Sequence, residues 1–331
     1  MKMSLRLAGC AVGFAAFALT GALAQEPALS IQLVSTFDYP GTGNQTRPQK
    51  INDRGDIVGI YVDTNLVSRG FIRFGDGSFS APLVDPNDTG NDTEGRGINN
   101  SRLFCGDYLD GSLGTFHGFF FSRNIYQNYD VPDSTTTIVL GLNNVGDFCG
   151  SATPTGGIQE AFLSIGGTVT EFAVQNATAT LAYQLNATNQ SCGYSIDPAG
   201  ATHGFFRDSD GRLHVGIDPA GSTSTILFGN NDRNFIVGRY ADEAGATHGI
   251  LFLPPGRFVV YDFPGATFTS LNGINRQNLI VGRYTDPSTG IDHGIIAKVV
   301  QGSASLTLPL AQASAPTPAS PQRAVDTAPA Y

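Results

Sequence analysis

Four of the five histidines in this chain share a pattern that could support acid–base chemistry. Each follows an aspartate by six or seven residues, across a predicted turn between two strands. The pairs are Asp110–His117, Asp197–His203, Asp242–His248 and Asp286–His293. A carboxylate beside an imidazole suits general acid–base catalysis. Because the pair occurs four times, whereas a catalytic domain normally has one site, we interpret it as a hairpin latch in which the ring bonds to the turn.

Three cysteines also occupy one repeated position. Cys105, Cys149 and Cys192 each stand just before a recurrent glycine, where other copies of the pattern have valine. We therefore predict buried, reduced core residues. Equivalent positions in neighbouring repeats should exceed the Cα separation of about 4.4–6.8 Å that a disulfide requires. A site of three thiolates for a metal ion is the alternative.

A third candidate is an acidic loop, "DPNDTGNDTE", which runs from Asp85 to Glu94. A glycine among closely spaced carboxylates and amides is typical of a calcium loop. Thr89 and Arg96 stand where the EF-hand pattern needs ligands, so a plain solvated turn is the competing interpretation. The calcium hypothesis has these ligands: Asp85, Asn87, Asp88 and Asp92.

The elements that must position these residues follow from an internal repeat. Two segments 44 positions apart are nearly the same: "GNNDRNFIVGRYADEAGATHGI" (229–250) and "GINRQNLIVGRYTDPSTGIDHGI" (273–295). The pattern occurs six times, at a spacing of 43 to 47 residues between its recurrent asparagines. These are Asn52, Asn99, Asn143, Asn186, Asn231 and Asn275. A period near 45 without a helical pattern predicts a radial β-array.

Each repeat contains four short strand patterns, which we call A to D, separated by turn residues. Four strands in about 45 residues form one blade of a β-propeller. The repeat region begins with a lone D strand, residues 31–41, and ends with a C strand near residue 300. We therefore predict an all-β, six-bladed β-propeller over residues 25–300. Its N-terminal strand, Ile31–Phe37, should close the last blade by pairing with His293–Val299.

The repeat resembles the HAF-family probable extracellular repeat, named for its His-Ala-Phe element. The matching consensus is "GINxxxxIVGxYxDxxGxxHGF", and it extends over residues 31–300. Glycine mostly replaces the alanine, and Arg69 and Glu160 replace the histidine in two copies. The resemblance implies the repeat fold and export from the cell, and it implies no particular activity.

The strongest functional signal is where the inner strand departs from its own pattern. Two residues before the recurrent asparagine, four copies have glycine, but the first has Lys50 and the fourth has Gln184. One position earlier the residues are Gln49, Arg96, Leu140, Tyr183, Phe228 and Asn272. Long polar side chains nearest the axis suit a ligand site at the channel mouth. The candidate ligand-binding set is Gln49, Lys50, Arg96, Tyr183, Gln184 and Asn272. The alternative is that these side chains only fill the channel.

The termini differ in character from the repeats. Residues 1–24 combine a basic start, an apolar run and Ala22-Leu23-Ala24, which predicts a cleaved secretory signal peptide. An uncleaved anchor is the alternative, since the run approaches the roughly 20 residues that span a bilayer. Residues 301–331 are rich in Ala, Pro, Ser and Thr and predict a disordered tail.

Charge narrows the choice of partners. Cleavage after Ala24 would leave 17 basic and 28 acidic residues, a net charge of −11. This charge disfavours nucleic acid, and the cleaved chain has no segment for membrane insertion. We predict a monomeric, secreted or periplasmic binding module without a cofactor, apart from the calcium hypothesis. Its partner would be a surface glycan or an envelope protein. The alternative is an extracytoplasmic hydrolase or lyase that acts on a glycan or small molecule in the channel.

Overall fold

The computed structural model describes residues 28–41, 43, 45–302 and 307–308, and in these residues every regular element is a β-strand. The predicted signal peptide and most of the predicted tail lie outside this part of the chain. Within it, no helix is long and apolar enough to cross a membrane.

The strands form six antiparallel sheets around one axis, in the order that the repeat predicts. Blade 1 contains β2 (Gln45–Ile51), β3 (Ile57–Val62) and β4 (Ser68–Arg73). Blade 2 contains β5 (Thr93–Ile98), β6 (Phe104–Asp110), β7 (Thr115–Ser122) and β8 (Ile125–Tyr129). Blade 3 contains β9 (Ser134–Leu142), β10 (Phe148–Pro154), β11 (Glu160–Ile165) and β12 (Thr168–Phe172).

The remaining blades complete the ring. Blade 4 contains β13 (Ala179–Leu185), β14 (Ser191–Ile196), β15 (Thr202–Arg207) and β16 (Leu213–Val215). Blade 5 contains β17 (Ser222–Asn230), β18 (Ile236–Asp242), β19 (Thr247–Leu253), β20 (Arg257–Tyr261) and β24 (Thr307–Leu308). Blade 6 contains β21 (Thr269–Ile274), β22 (Leu279–Thr285), β23 (Asp292–Gln301) and β1 (Leu29–Phe37).

Two blades depart from the predicted four strands. In blade 1 the outer strand is reduced to two isolated bridges, Gly70–Leu83 and Arg73–Phe79. Pro82 lies in this segment and has no N–H to donate to a ladder. In blade 5, Thr307–Leu308 adds a fifth strand beside β20, although it falls within the segment expected to be disordered.

The predicted closure is confirmed. Strand β1 pairs antiparallel with β23, from Ile31 opposite Val299 to Phe37 opposite Gly294. The first and last strands thus share blade 6, and this pairing removes the open edge that a linear array would leave. Ile31 and Val299 are buried in the apolar layer between blades 5 and 6, which stabilises the joint through packing as well as hydrogen bonds.

The recurrent asparagine forms a closed ring of hydrogen bonds. Each side chain donates from Nδ2 to the backbone carbonyl of the asparagine in the next blade, at 3.0 to 3.3 Å. The sixth bond runs from Asn275 back to Asn52 at 3.0 Å. Each Oδ1 accepts backbone N–H groups of its own turn, as at Gln277 and Leu279 for Asn275. One side chain therefore shapes the turn and joins two blades.

The histidines are latches, but with a different main partner from the one predicted. Each Nδ1 contacts a carboxylate that follows strand D of the same blade, at 2.8 to 3.1 Å. The pairs are His117–Asp130, His203–Asp218, His248–Asp262 and His293–Asp38. Blade 6 takes Asp38 from the N-terminal strand, so this latch also ties the ring closed.

The predicted turn aspartates contribute in only part of the set. Nε2 of His203 lies 3.4 Å from Asp197, and Nε2 of His248 lies 3.3 Å from Asp242. Asp110 and Asp286 instead accept hydrogen bonds within their own turns. In each case the donors are the backbone N–H and the hydroxyl of the serine two residues later. The strand D aspartates are visible in "FDYP", "YDVP", "IDPA" and "YDFP", a signal that the sequence interpretation missed.

The three cysteines are buried and carry free thiols, as predicted. Burial raises the pKa of each thiol, to about 12 at Cys192. Among the described residues, no group of three or more His, Cys, Asp or Glu side chains is placed to hold a metal ion.

Candidate functional site

Every inner strand contains a β-bulge at the same repeat position. The pairing between strands A and B skips one residue in each blade. The skipped residues are Gln49, Arg96, Leu140, Tyr183, Phe228 and Asn272. A bulge leaves one residue out of the ladder and redirects its side chain. Six equivalent bulges thus place one residue per blade near the axis.

Five of these six residues line a cavity at one end of the channel. Four arginines share it, so we call it the arginine mouth. Its lining is Arg47, Gln49, Ile60, Glu94, Arg96, Tyr183, Phe228, Arg239, Ser270, Asn272 and Arg283. The fold brings together four residues of the predicted ligand-binding set, Gln49, Arg96, Tyr183 and Asn272, and ligand binding by them stays a prediction. The other three arginines come from a second inward position on strand A and from strand B, which sequence reasoning missed.

The arginine mouth is charged on one side. Arg96 Nε donates to Asp107 at 2.8 Å and a second nitrogen pairs with Glu94, while Arg47 Nε donates to Asp292 at 2.7 Å. Burial opposes the charge of Arg96, but Asp107 outweighs it and raises the pKa of the guanidinium. These ion pairs hold two of the four arginines in fixed positions.

Arg283 is less fully compensated than the other ion-paired arginines. Its Nε lies 3.6 Å from Asp292, a carboxylate already bonded to Arg47, and that nitrogen has no hydrogen-bond partner. Burial lowers the pKa of Arg283 to about 9; Asp292 opposes this shift, and repulsion from Arg239 and Arg47 adds to it. An anion in the cavity would relieve this repulsion.

The opposite wall of the arginine mouth is apolar. Tyr183 and Phe228 meet edge to face at 5.0 Å between ring centroids, within a buried cluster that includes Leu140, Leu181 and Ile226. The Arg239 guanidinium lies over the Phe228 ring at 5.4 Å. The cavity therefore offers four cationic side chains, from blades 1, 2, 5 and 6, and two aromatic rings, from blades 4 and 5.

A constriction closes the channel below the arginine mouth. It consists of one residue per blade, directly after the bulge: Lys50, Gly97, Gly141, Gln184, Gly229 and Gly273. A Cβ on Gly273 would lie 2.8 Å from the Cα of Lys50, and one on Gly229 would lie 3.1 Å from the Cα of Gly273. The inner strands approach so closely that only glycine fits at four of the six positions.

Lys50 occupies the space that these glycines leave. It is buried, and its Nζ donates to the backbone carbonyl of Phe228 at 2.8 Å and lies 5.7 Å from the Tyr183 ring centroid. Burial lowers the pKa of Lys50 to about 8. The expectation that Lys50 faces a ligand is corrected. Because of the bulge before Lys50, the Gln49 side chain faces the cavity, whereas the Lys50 side chain crosses the axis and fills the channel.

Gln184 lies at the other end of the channel. It lines a second cavity, which we call the asparagine mouth because the asparagine ring surrounds it. Its Nε2 donates to the backbone carbonyls of Leu142 and Leu185 at 3.2 and 3.1 Å. The side chain of Gln184 thus faces the opposite side of the constriction from Gln49, Arg96, Tyr183 and Asn272, with which the sequence grouped it.

The carboxylates of the predicted calcium loop are turned toward their own backbone. Asp85 Oδ1 accepts from the N–H and the side chain of Asn87, and Asp88 Oδ1 accepts from the N–H groups of Gly90 and Asp92. Burial raises the pKa of both Asp85 and Asp92. These bonds join the loop to itself, and calcium binding stays a prediction.

No family model and no curated protein sequence matches this chain. The resemblance to the HAF repeat therefore stays a prediction.

Solved structures share its architecture. A prolyl endopeptidase matches with 14% identity and a TM-score of 0.47 over 80% of this chain, which spans 44% of that protein. A mutant of the Aleuria aurantia lectin in complex with Fucalpha1-6GlcNAc matches with 10% identity and a TM-score of 0.48, over 78% of this chain and 96% of the lectin. TolB from Acinetobacter baumannii matches with 9% identity and a TM-score of 0.43, over 81% and 66%. Such low similarities carry no argument about activity, ligand or location.

Proposed function

We propose that this protein is an exported, non-catalytic binding module that holds an anionic ligand with an apolar part in the arginine mouth. The observation that carries the proposal is the juxtaposition, in one cavity, of four guanidinium groups with the rings of Tyr183 and Phe228, which belong to a buried apolar cluster. Guanidinium groups match the planar, two-oxygen geometry of carboxylates and sulfates. An acidic sugar of a surface glycan that carries an apolar substituent meets both requirements.

Specific contacts support an anion over a neutral ligand. Arg239 and Arg283 lie in adjacent blades at equivalent positions of strand B, and both stack on Phe268, at 5.3 and 5.1 Å. Their shared ring fixes the two guanidinium planes beside one another. Removing either charge should weaken an ion pair in a partly desolvated site, where such a bond contributes about 1.5–3 kcal/mol.

The acid–base groups of the cavity favour binding over hydrolysis. Glu94 is ion-paired with Arg96, and the Ser270 hydroxyl donates to Asn272 Oδ1 at 2.6 Å. A nucleophilic serine would need a base as its partner, and an amide oxygen is not one. The residues that line this cavity therefore hold and orient a ligand more readily than they transfer a proton.

Export is a separate part of the proposal, and it rests on residues 1–24. Their basic start, apolar run and small-x-small end support a cleaved signal peptide. The low charged fraction of 14% suits a protein that works outside the cytoplasm. N-terminal sequencing of protein from the culture medium and from envelope fractions tests this part and locates the cleavage site.

Three para-nitrophenyl compounds test the binding proposal. The β-glucuronide and the sulfate carry an anion beside an aromatic ring, and the β-glucoside is the uncharged counterpart of the glucuronide. We expect titration calorimetry to detect the anionic compounds and to find the glucoside at least tenfold weaker. Equal affinity for glucoside and glucuronide would contradict the proposal. Release of para-nitrophenol from the glycosides at a rate that depends on the protein would favour the hydrolase alternative.

A further inference from the structure

The asparagine mouth has the features of a second binding site, independent of the arginine mouth. Its floor is the residue that precedes the recurrent asparagine in each blade. Blades 1, 2, 3, 4 and 6 each contribute a buried isoleucine or leucine there, whereas blade 5 contributes Asn230. The floor is thus apolar apart from one buried amide. A buried polar group in such a ring is costly unless it has a partner.

Two amide oxygens, one in this floor and one in the constriction beneath it, have no hydrogen-bond donor among the described residues. They are Oδ1 of Asn230 and Oε1 of Gln184, and both are shielded from solvent. Backbone carbonyls fix both amide orientations. Nδ2 of Asn230 donates to Gln190 at 3.0 Å, and Nε2 of Gln184 donates to Leu142 and Leu185. Exchanging oxygen and nitrogen would place oxygen against oxygen, so the oxygens must be the atoms without partners.

The rim of the cavity opens beside these two oxygens. The residue after each recurrent asparagine forms the rim: Asp53, Asn100, Asn144, Ala187, Asp232 and Arg276. At four joints a rim side chain accepts a backbone N–H of the preceding blade, at 2.8 to 3.0 Å. Ala187 has no such side chain, and it belongs to the same blade as Gln184. Blade 4, which contains Gln184, therefore has the shortest side chain in the rim.

The charges of the rim indicate the sign of the ligand. Arg276 Nε donates to Asp232 at 2.6 Å and lies 3.9 Å from Asp53, so the two carboxylates exceed the single cation. Two acceptors without donors, an apolar floor and a net negative rim together require a ligand with N–H donors, a positive charge and a short apolar chain. We infer that the asparagine mouth binds a primary alkylammonium group, for which Gln184 Oε1 and Asn230 Oδ1 are the uncharged acceptors.

Titration of the full-length protein with n-butylammonium tests this site. We expect calorimetric binding that butanol and tetramethylammonium do not reproduce, since the first lacks the charge and the second lacks N–H donors. Asn230→Leu and Gln184→Met keep the approximate size of each side chain and remove its amide group, including the unpaired oxygen. Each should weaken binding by about 10- to 100-fold, as expected for a hydrogen bond to a charged group.

Two controls separate this site from a purely structural role. Gln277→Ala, at an exposed turn, should leave butylammonium binding unchanged, as should Arg239→Gln in the arginine mouth. The variants Asn230→Leu and Gln184→Met should change the unfolding temperature little, because each removes an unpaired buried oxygen together with an amide N–H group that is hydrogen-bonded to a backbone carbonyl. The proposal is overturned if butylammonium does not bind the wild type, or if the double variant binds it as well as the wild type.

Discussion

The side chain of Asn275 donates a hydrogen bond to the backbone carbonyl of Asn52 at 3.0 Å, although 223 positions separate the two residues in the sequence. This bond joins the last blade to the first and completes the ring of six asparagines. The interaction repeats at every blade boundary, so the asparagine of each repeat fixes its own turn and the position of its neighbour. The ring is therefore part of what holds the propeller closed.

Substitution of Asn275 should be more destabilising than substitution of the rim residue Asn144. Asn275→Ala removes one bond to Asn52 and two bonds to its own turn, leaving buried backbone groups without partners. We expect a loss of roughly 1–3 kcal/mol in the free energy of unfolding. Asn144→Ala removes one exposed bond, to the N–H of Asn100. Denaturant unfolding of both variants makes the comparison, and equal losses would mean that the asparagine ring adds little.

Removal of strand β1 should open the propeller. A chain that begins at residue 38 lacks the strand that pairs with β23 and the buried Ile31 side chain. We expect a much lower melting temperature, or dimers that exchange strands across the open edge. A chain that begins at residue 28 keeps β1 and is the matched control. Thermal unfolding and gel filtration read out both effects, and identical behaviour of the two chains would refute closure by β1.

The histidine latches should make stability depend on pH. Burial alone would lower the pKa of His203 and His248, but hydrogen bonds to Asp218 and Asp262, and the charges of both neighbouring aspartates, raise it. A raised folded-state pKa means that the protonated latch stabilises the protein. This contribution is complete below the unfolded pKa of about 6.5 and is lost as the pH rises through the raised folded value.

The melting temperature should therefore fall between mildly acidic and alkaline pH. The double variant His203→Gln, His248→Gln should show a flatter profile over the same range, with its largest deficit on the acidic side. A deficit that grows with increasing pH would have the wrong sign for this account.

Lys50 should matter for stability rather than for binding. Lys50→Ala leaves the Phe228 carbonyl without its donor and opens a cavity on the axis, at a cost of roughly 2–5 kcal/mol. Lys50→Met keeps the volume, so it should unfold at a higher temperature than the alanine variant. Arg233→Ala, at an exposed position, is the control. An unchanged melting temperature in Lys50→Ala would restore the interpretation that Lys50 is a ligand contact.

The sequence predicts the blades and their closure because both depend on a repeated pattern. The repeat length of about 45 residues gives the number of blades. The lone D strand at the start of the repeats pairs with the C strand of the last repeat. The direction of inner side chains is different, because it depends on the register between strands A and B. The bulge at Gln49 sends Gln49 and Lys50 in directions that simple alternation does not predict. The same bulge in blade 4 separates Tyr183 from Gln184, so residues adjacent in sequence line opposite mouths.

The sequence indicated only part of the arginine mouth, for a related reason. Arg96 stands out because other copies have a different residue at its position. Arg239 and Arg283 each belong to an "IVGRY" segment of the repeat, so they look like ordinary consensus residues. Only the sheet shows that this arginine of strand B faces the channel beside strand A.

The most direct test of the binding account compares three variants for their affinity to para-nitrophenyl glucuronide. Arg239→Gln and Arg283→Gln each remove one charge from the arginine mouth, and Arg233→Gln removes one from an exposed turn. We predict that the first two bind about tenfold or more weakly than the wild type and that Arg233→Gln binds like the wild type, with similar melting temperatures throughout. Equal affinity for the glucuronide in all four proteins would contradict the account.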